Sequence, residues 1–180
     1  YLGVICASLL MKKPFKGYYV TNIVDSWVPL TGIIEMSTIV DRKELDDHTL
    51  VYLPKYVAAS DDQAFAESDL DIEERFLSTL EKMYPDFSRE DVAEFKVARA
   101  RNVMALPTLN YSEKLPPMRT SIPGVYAINS AQIVEGNLNV NETIAIGKRA
   151  MQEILEPRIS SGASEQLTPI RESDLQAAAT

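Results

Sequence analysis

The chain has 180 residues, of which 46% are hydrophobic and 24% charged, so it is long enough for one substantial core and too short for two comfortable ones. Its net charge of −8 and pI of about 4.7 oppose nucleic-acid binding, and the densest basic run, Lys12, Lys13 and Lys16, is typical of a solvated turn. Apolar stretches fall short of the roughly 18 residues of a membrane helix, and no signal-peptide pattern precedes the first one. We therefore predict a cytoplasmic protein with no nucleic-acid partner and no membrane span.

Four early stretches have the composition of strands. They are rich in apolar, β-branched and aromatic residues, are bounded by Pro, Gly and Asp, and read YLGVICASLLM, GYYVTNIV, TGIIEMSTIV and TLVYLPKYV. The first is almost continuously apolar, as expected of a central strand. Short connections favour antiparallel neighbours, so we expect a meander. The chain also starts directly inside this apolar sequence without an initiator Met, which predicts a fragment of a longer protein.

A helix is predicted to follow Ser68. This residue is an N-cap candidate with Asp71 three positions on, and Pro85 ends the pattern. The predicted apolar stripe consists of Leu70, Ile72, Phe76, Leu77, Leu80 and Met83.

A short capped turn, SRED at 88–91, precedes a fifth strand candidate, VAEFKVARARNV. Its period-two pattern places Arg99 and Arg101 on one face, where they are candidates for binding an acidic or phosphorylated substrate. The alternative is that both pair with surface carboxylates of this acidic chain.

The remaining pattern completes an α+β prediction. Residues 102–123 contain four prolines and little periodicity, which indicates an extended loop. A helix is predicted from about Asn141 to Leu155, ending before Pro157. We expect an antiparallel or mixed sheet of about five or six strands with two main helices.

Several familiar kinds of site are not indicated. The only histidine, His48, lies in an acidic turn and is predicted to be a solvated loop residue, and the only cysteine, Cys6, lies in an apolar strand as a structural thiol. One His and one Cys do not make a zinc motif, so we predict no metal site. The sequence contains neither G-x-G-x-x-G nor a P-loop, and no catalytic residue is assigned.

The stretch GVYAINSAQIVEGNLNVNETIAIGKRA, residues 124–150, predicts a short strand, a polar turn and an amphipathic helix capped by Asn139 or Asn141. A helix N-terminus carries free N–H groups and about half a positive charge, so it suits an anionic or electron-rich ligand edge. The alternative is an ordinary, well-capped strand-turn-helix.

This stretch resembles the C-terminal flavin-binding segment of the FAD-dependent amine oxidase superfamily, which includes phytoene desaturases, protoporphyrinogen oxidases and UDP-galactopyranose mutases. There, a strand of pattern G-hydrophobic-aromatic-hydrophobic-A-G-D/E leads through a Gly-containing loop to a helix whose N-terminus faces the flavin pyrimidine edge. This sequence departs at Asn129, where an acidic residue on the ribityl chain is common, although an amide also bonds a hydroxyl. The resemblance implies a cofactor-binding set of Asn129, Ser130, Leu138, Asn139, Val140 and Asn141.

A second segment is similar to the substrate-domain sheet of the same superfamily. It follows a YY-x-x-N-I-x-D-x-x-x-P-x-x-G-x-I-E pattern between Tyr18 and Glu35. The resemblance implies a substrate-domain-like α+β region at 1–123, a strand-turn-helix completing the flavin-binding domain at 124–156, and a flexible tail at 157–180. It also implies an FAD-dependent oxidoreductase acting on a small-molecule substrate.

Because the Gly-rich nucleotide-binding unit of that superfamily is missing from this sequence, we expect the fragment to be inactive alone and not to retain FAD. Two alternatives stay open, which are an FAD-dependent redox-neutral isomerase of the UDP-galactopyranose mutase kind and a non-enzymatic binding module that shares the fold. The sequence makes no prediction of oligomeric state.

Overall fold

The structure is a computed structural model that describes residues 1–160, with the side chains of residues 1–155. The chain divides into two compact units, Tyr1–Leu109 and a second that begins at Asn110. The sequence predicted a division between residues 123 and 124. The boundary between the two units falls earlier, so residues 110–123 belong to the second unit.

The first unit is built on a five-stranded antiparallel sheet, which confirms the predicted fold class. The strands are β1 Leu2–Met11, β2 Val20–Asn22, β3 Gly32–Glu35, β4 Thr49–Ala58 and β5 Val92–Met104. Their order in the sheet is β2-β3-β4-β1-β5. The predicted meander is therefore wrong at its first step, because β1 lies between β4 and β5 and does not pair with β2.

Strand length explains this order. β1 and β4 each have 10 residues and pair along their whole length, from Leu2 opposite Ala58 to Met11 opposite Thr49. β5, with 13 residues, pairs along the other edge of β1. β2 has only 3 residues, so pairing it with β1 would leave most of the backbone groups on that edge of β1 without partners.

Two helices of the first unit lie on one face of the sheet, namely α1 Asp62–Ala66 and α2 Asp69–Met83. As predicted, Ser68 caps α2, where its hydroxyl accepts a hydrogen bond of 3.1 Å from the backbone N–H of Asp71. Leu70 was expected on the apolar stripe, but its side chain is 77% exposed. α1 was not predicted.

Alternate residues of the strands meet the buried face of α2 in a single core. Residues fully enclosed there include Ile5, Leu9, Leu53, Ile72, Phe76 and Leu80.

The second unit contains the short helix α3 Tyr111–Lys114 and the 21-residue helix α4 Val140–Ser160. α4 and the 15-residue helix α2 are the two main helices that the sequence predicts. α4 continues past Pro157, where the sequence predicted its end. The rest of the predicted tail, 161–180, lies outside the described residues.

The predicted strand GVYAI is not formed. Within the described residues, Tyr126 makes an isolated β-bridge to Arg119, and Ala127 donates its N–H to the carbonyl of Met118 at 2.8 Å. This segment folds back on the residues just before it, so its extended backbone has one short neighbour instead of a sheet.

No helix among the described residues combines the length and the apolar character needed to cross a bilayer.

Candidate functional site

The polar turn of the second unit is held by a capping box. Asn129 precedes a 3-10 turn at Ser130–Gln132, and its Oδ1 accepts a hydrogen bond of 2.9 Å from the N–H of Ala131. In return, Oε1 of Gln132 accepts from the N–H of Asn129 at 2.9 Å. Both side chains are therefore partly used within the turn.

Further contacts fix this turn in place. Gln132 is buried, and its amide nitrogen donates to the carbonyls of Pro116 and Ala127 at 3.2 and 3.4 Å. The Tyr111 hydroxyl donates to the carbonyl of Ala131 at 2.7 Å. The turn is thus held rigidly by three segments of its own unit.

Helix α4 packs against this turn and starts beside a glycine. Oδ1 of Asn139 accepts a hydrogen bond of 2.9 Å from the N–H of Glu142, so Asn139, and not Asn141, is the helix cap. Gly136 has a φ of 108°, and a Cβ there would lie 2.9 Å from Cδ of Glu142. The absence of a side chain at Gly136 therefore leaves room for this carboxylate at the helix start.

The groups that remain free here are hydrogen-bond donors. Among the described residues, the N–H groups of Val140 and Asn141 and the Nδ2 of Asn129 have no partner, and all three residues are exposed. Ser130 is half-buried, and Leu138 is exposed. Glu142 already supplies negative charge to the first helical turn. This donor set fits a neutral, acceptor-rich ligand edge better than a phosphate, because the carboxylate of Glu142 lies in the same turn.

The two candidate arginines of the first unit lie on one face of β5 and both have partners. Arg99 donates to the carbonyl of Glu67 at 2.7 Å and pairs with Asp69 at 2.6 Å. Arg101 pairs with Asp62 at 2.8 Å and stacks over a phenylalanine ring of α1. Both arginines therefore pair with carboxylates, as in the alternative given from the sequence. A substrate role for either residue stays a prediction.

The opposite face of the sheet carries neither α1 nor α2. Its central residues are small, apolar or aromatic and only half-buried, and they include Val4, Cys6, Ser8, Leu10, Tyr52 and Pro54. We call this the open face. Burial raises the pKa of the Cys6 thiol, which opposes thiolate formation and agrees with a structural role.

Sequence reasoning missed a buried carboxylate at the end of β3. Glu35 is 4% exposed, and it accepts hydrogen bonds from the N–H groups of Phe15, Lys16 and Gly17 at 3.2, 2.9 and 2.7 Å. The sequence offered one signal, which is the glutamate at the end of the apolar run TGIIE. A carboxylate placed next to core residues is either exposed or needs hydrogen-bond donors, so donors could have been looked for.

The only histidine also has a local partner. Nδ1 of His48 lies 3.1 Å from the carbonyl oxygen of Leu45, within the same turn, and the residue is half-buried rather than fully solvated. Over residues 1–155, whose side chains the structure describes, no group of three or more His, Cys, Asp and Glu side chains is placed to hold a metal ion.

Comparison with known proteins finds a likeness of fold. The chain superposes on the crystal structure of an oxidoreductase from Methanosarcina mazei with a TM-score of 0.57 and 19% sequence identity. The match covers 84% of this chain and 34% of the other, so the present sequence corresponds to about a third of that protein. No protein-family model and no curated protein sequence matches the chain.

Proposed function

We propose that the chain is part of an FAD-dependent oxidoreductase of the amine-oxidase type. The observation that carries this proposal is the likeness of fold, over 84% of the chain, to a protein described as an oxidoreductase. The flavin-segment resemblance at residues 124–150 is independent support, because it comes from the residues and not from the superposition. FAD supplies hydride acceptance in such enzymes, while the protein provides binding and electrostatics.

Under this proposal the second unit holds the flavin. Nδ2 of Asn129 donates to a ribityl hydroxyl, and the N–H groups of Val140 and Asn141 donate to the pyrimidine edge. These are the donors left free by the capping interactions of the turn and of α4. The sequence has no Gly-rich phosphate-binding motif, so the ADP half of FAD is proposed to bind to a part of the protein outside these 180 residues.

The first unit is proposed to meet the substrate with its open face. Tyr52 and the small residues near it offer flat, largely apolar contact. Arg99 and Arg101 are not part of this surface, because they lie on the helix-covered face of the sheet, where Arg101 pairs with Asp62 and stacks over the Phe65 ring of α1.

The structure provides a sharp test at Val140. This residue is the first of α4, where proline is well tolerated, so Val140→Pro removes one N–H group without breaking the helix. In the complete protein that carries this sequence, Val140→Pro is expected to lower the ratio of bound flavin to protein and to leave the melting temperature of the flavin-free form nearly unchanged. Val140→Ala keeps the N–H and is the matched control.

Asn129 provides a second test. Asn129→Leu removes a hydrogen bond worth about 1 kcal/mol but also removes the cap, so Asn129→Ser is compared with it, because serine keeps capping ability and is too short to reach a ligand. Both variants are expected to lose flavin, and only Asn129→Leu is expected to melt earlier. An unchanged flavin ratio in Val140→Pro and in both Asn129 variants would mean that this is a well-capped turn and not a cofactor site.

A further inference from the structure

A cavity of about 620 Å³ that is widely open to solvent lies in the first unit, on the face of the sheet that α1 and α2 cover. Its lining residues are Lys55, Asp61, Gln63, Ala64, Ala66, Glu67 and Arg75. This volume is within the range of about 300 to 1,000 Å³ that is usual for small-molecule sites. The open face is on the other side of the sheet, so the cavity is separate from the substrate surface proposed above.

Lys55 breaks the pattern of its strand. The other residues of β4 that point to the helices, Thr49, Val51, Leu53 and Val57, are all buried. Lys55 lies directly opposite Ile5 of β1, which is fully enclosed, and Arg99 lies opposite Ile5 on its other side. A cation at a core-facing position without a structural partner points to a functional site.

The charges around the cavity are compensated unevenly. Both carboxylate oxygens of Glu67 accept from Arg75, one of them at 2.7 Å, and Oδ1 of Asp61 accepts from the N–H of Ala64 at 3.0 Å. Among the described residues, the ammonium group of Lys55 has no ion pair or hydrogen bond, and Nε of Arg75 is buried without an acceptor. Glu67 is therefore paired with a cation, Asp61 has only a helix-cap hydrogen bond, and the ammonium group of Lys55 remains free to meet an anion.

Arg99 contacts the segment that carries Glu67, one of the residues that line the cavity. Its guanidinium donates to the backbone carbonyl of Glu67 and pairs with Asp69 at the start of α2. These contacts would position the Glu67–Arg75 pair, and the direct substrate contact predicted for Arg99 from the sequence stays a prediction.

We propose that this cavity binds a small organic molecule through one carboxylate or phosphate group, with Lys55 as the principal cation. The size of the cavity leaves room for more than the anionic group alone, and Gln63 offers an amide for a further polar contact. The proposal concerns the first unit only and does not depend on the flavin.

The test uses the 180-residue chain with inorganic phosphate and, separately, acetate as probes at constant ionic strength. Backbone amide shifts in the two-dimensional NMR spectrum are expected to move at residues 61–67 and at Lys55, with saturation. Lys55→Met should weaken this binding by about tenfold or more, since it removes a charge-assisted hydrogen bond. Lys55→Arg should retain the binding of the anion. The control is Lys43→Met, which removes an equal charge from the turn that precedes β4, and it should leave the binding unchanged.

Saturation by phosphate alone would identify a phosphate ester as the ligand class, and saturation by both probes would identify a carboxylate as sufficient. Shifts that do not cluster around the cavity, or that are the same size in Lys55→Met, would overturn the proposal. If Lys55→Met does not fold, the wild-type shift map and Lys55→Gln decide the question in the same way.

Discussion

Replacing Glu35 by alanine should destabilise the first unit more than the loss of any exposed carboxylate. The side chain is 4% exposed and accepts three backbone N–H groups from Phe15, Lys16 and Gly17. Removing one side of a buried, charged hydrogen-bond network costs about 3 to 5 kcal/mol, because the donors left behind regain water only in part. Domains of this size are stable by about 5 to 15 kcal/mol, so a large share would be lost.

The loss should extend to the end of α2. The turn that Glu35 holds carries Phe15, whose ring packs edge-on against Tyr84 at 5.1 Å between centroids. Lys16, in the same turn, pairs with Asp86. Releasing the turn therefore loosens both contacts.

The measurement is urea unfolding followed by the fluorescence of the single tryptophan, Trp27, which reports on the first unit. At a typical urea dependence, Glu35→Ala should lower the midpoint by about 2 M. Glu35→Gln should cost about 1 to 2 kcal/mol, because its one oxygen can still accept from Lys16 and Gly17 but not from Phe15. Glu44→Ala, at an exposed position, is the control and should change stability by less than about 0.5 kcal/mol. Equal midpoints for the two alanine variants would refute this account of Glu35.

Three further outcomes follow from the structure. The Arg89 side chain, with help from a neighbouring serine, lowers the pKa of Glu74 from 4.5 to about 2. Its contribution to stability is therefore present above pH 4.5 and lost as the pH falls towards 2, so the melting temperature of Glu74→Gln should change less over this interval than that of the wild type. The Cys6 thiol, whose pKa is raised by burial, should react with iodoacetamide at pH 8 more slowly than free cysteine, and a faster reaction would contradict its structural role. Gly3→Ala should lower the melting temperature markedly, because its Cβ would lie 2.5 Å from the Phe65 ring and 2.8 Å from a backbone oxygen, and an unchanged value would show that α1 moves freely.

Local patterns predicted the elements of this chain well and their long-range arrangement less well. The Ser68 cap, the apolar stripe of α2 apart from Leu70, and the alternation of β5 all depend on residues close in sequence, and the structure has each of them. The position of β1 between β4 and β5 depends on matching strand lengths across the chain, which no local window contains.

The candidate site shows the same limit. The sequence indicated Asn139 or Asn141 as the cap of α4, but the capping box of Asn129 and the donors that stay free depend on Gln132 and Tyr111 meeting across the turn. GVYAI had strand composition, yet a strand also needs neighbours, and only one bridge is available to it in the described residues.

Two charges interrupt apolar runs of this sheet, and their surroundings separate a structural role from a binding role. Glu35 ends β3 in the core and has three backbone donors directed at it, so its charge is compensated within the protein. Lys55 lies in the buried row of β4 beside a cavity and has no such partner among the described residues. A buried ion needs compensating partners, whereas a half-buried lysine keeps its ammonium group in water and stays available to an anionic ligand. By this reasoning Glu35 contributes to folding and Lys55 to binding, which predicts that apolar replacement lowers stability at Glu35 and preserves or raises it at Lys55 while removing the affinity for anions.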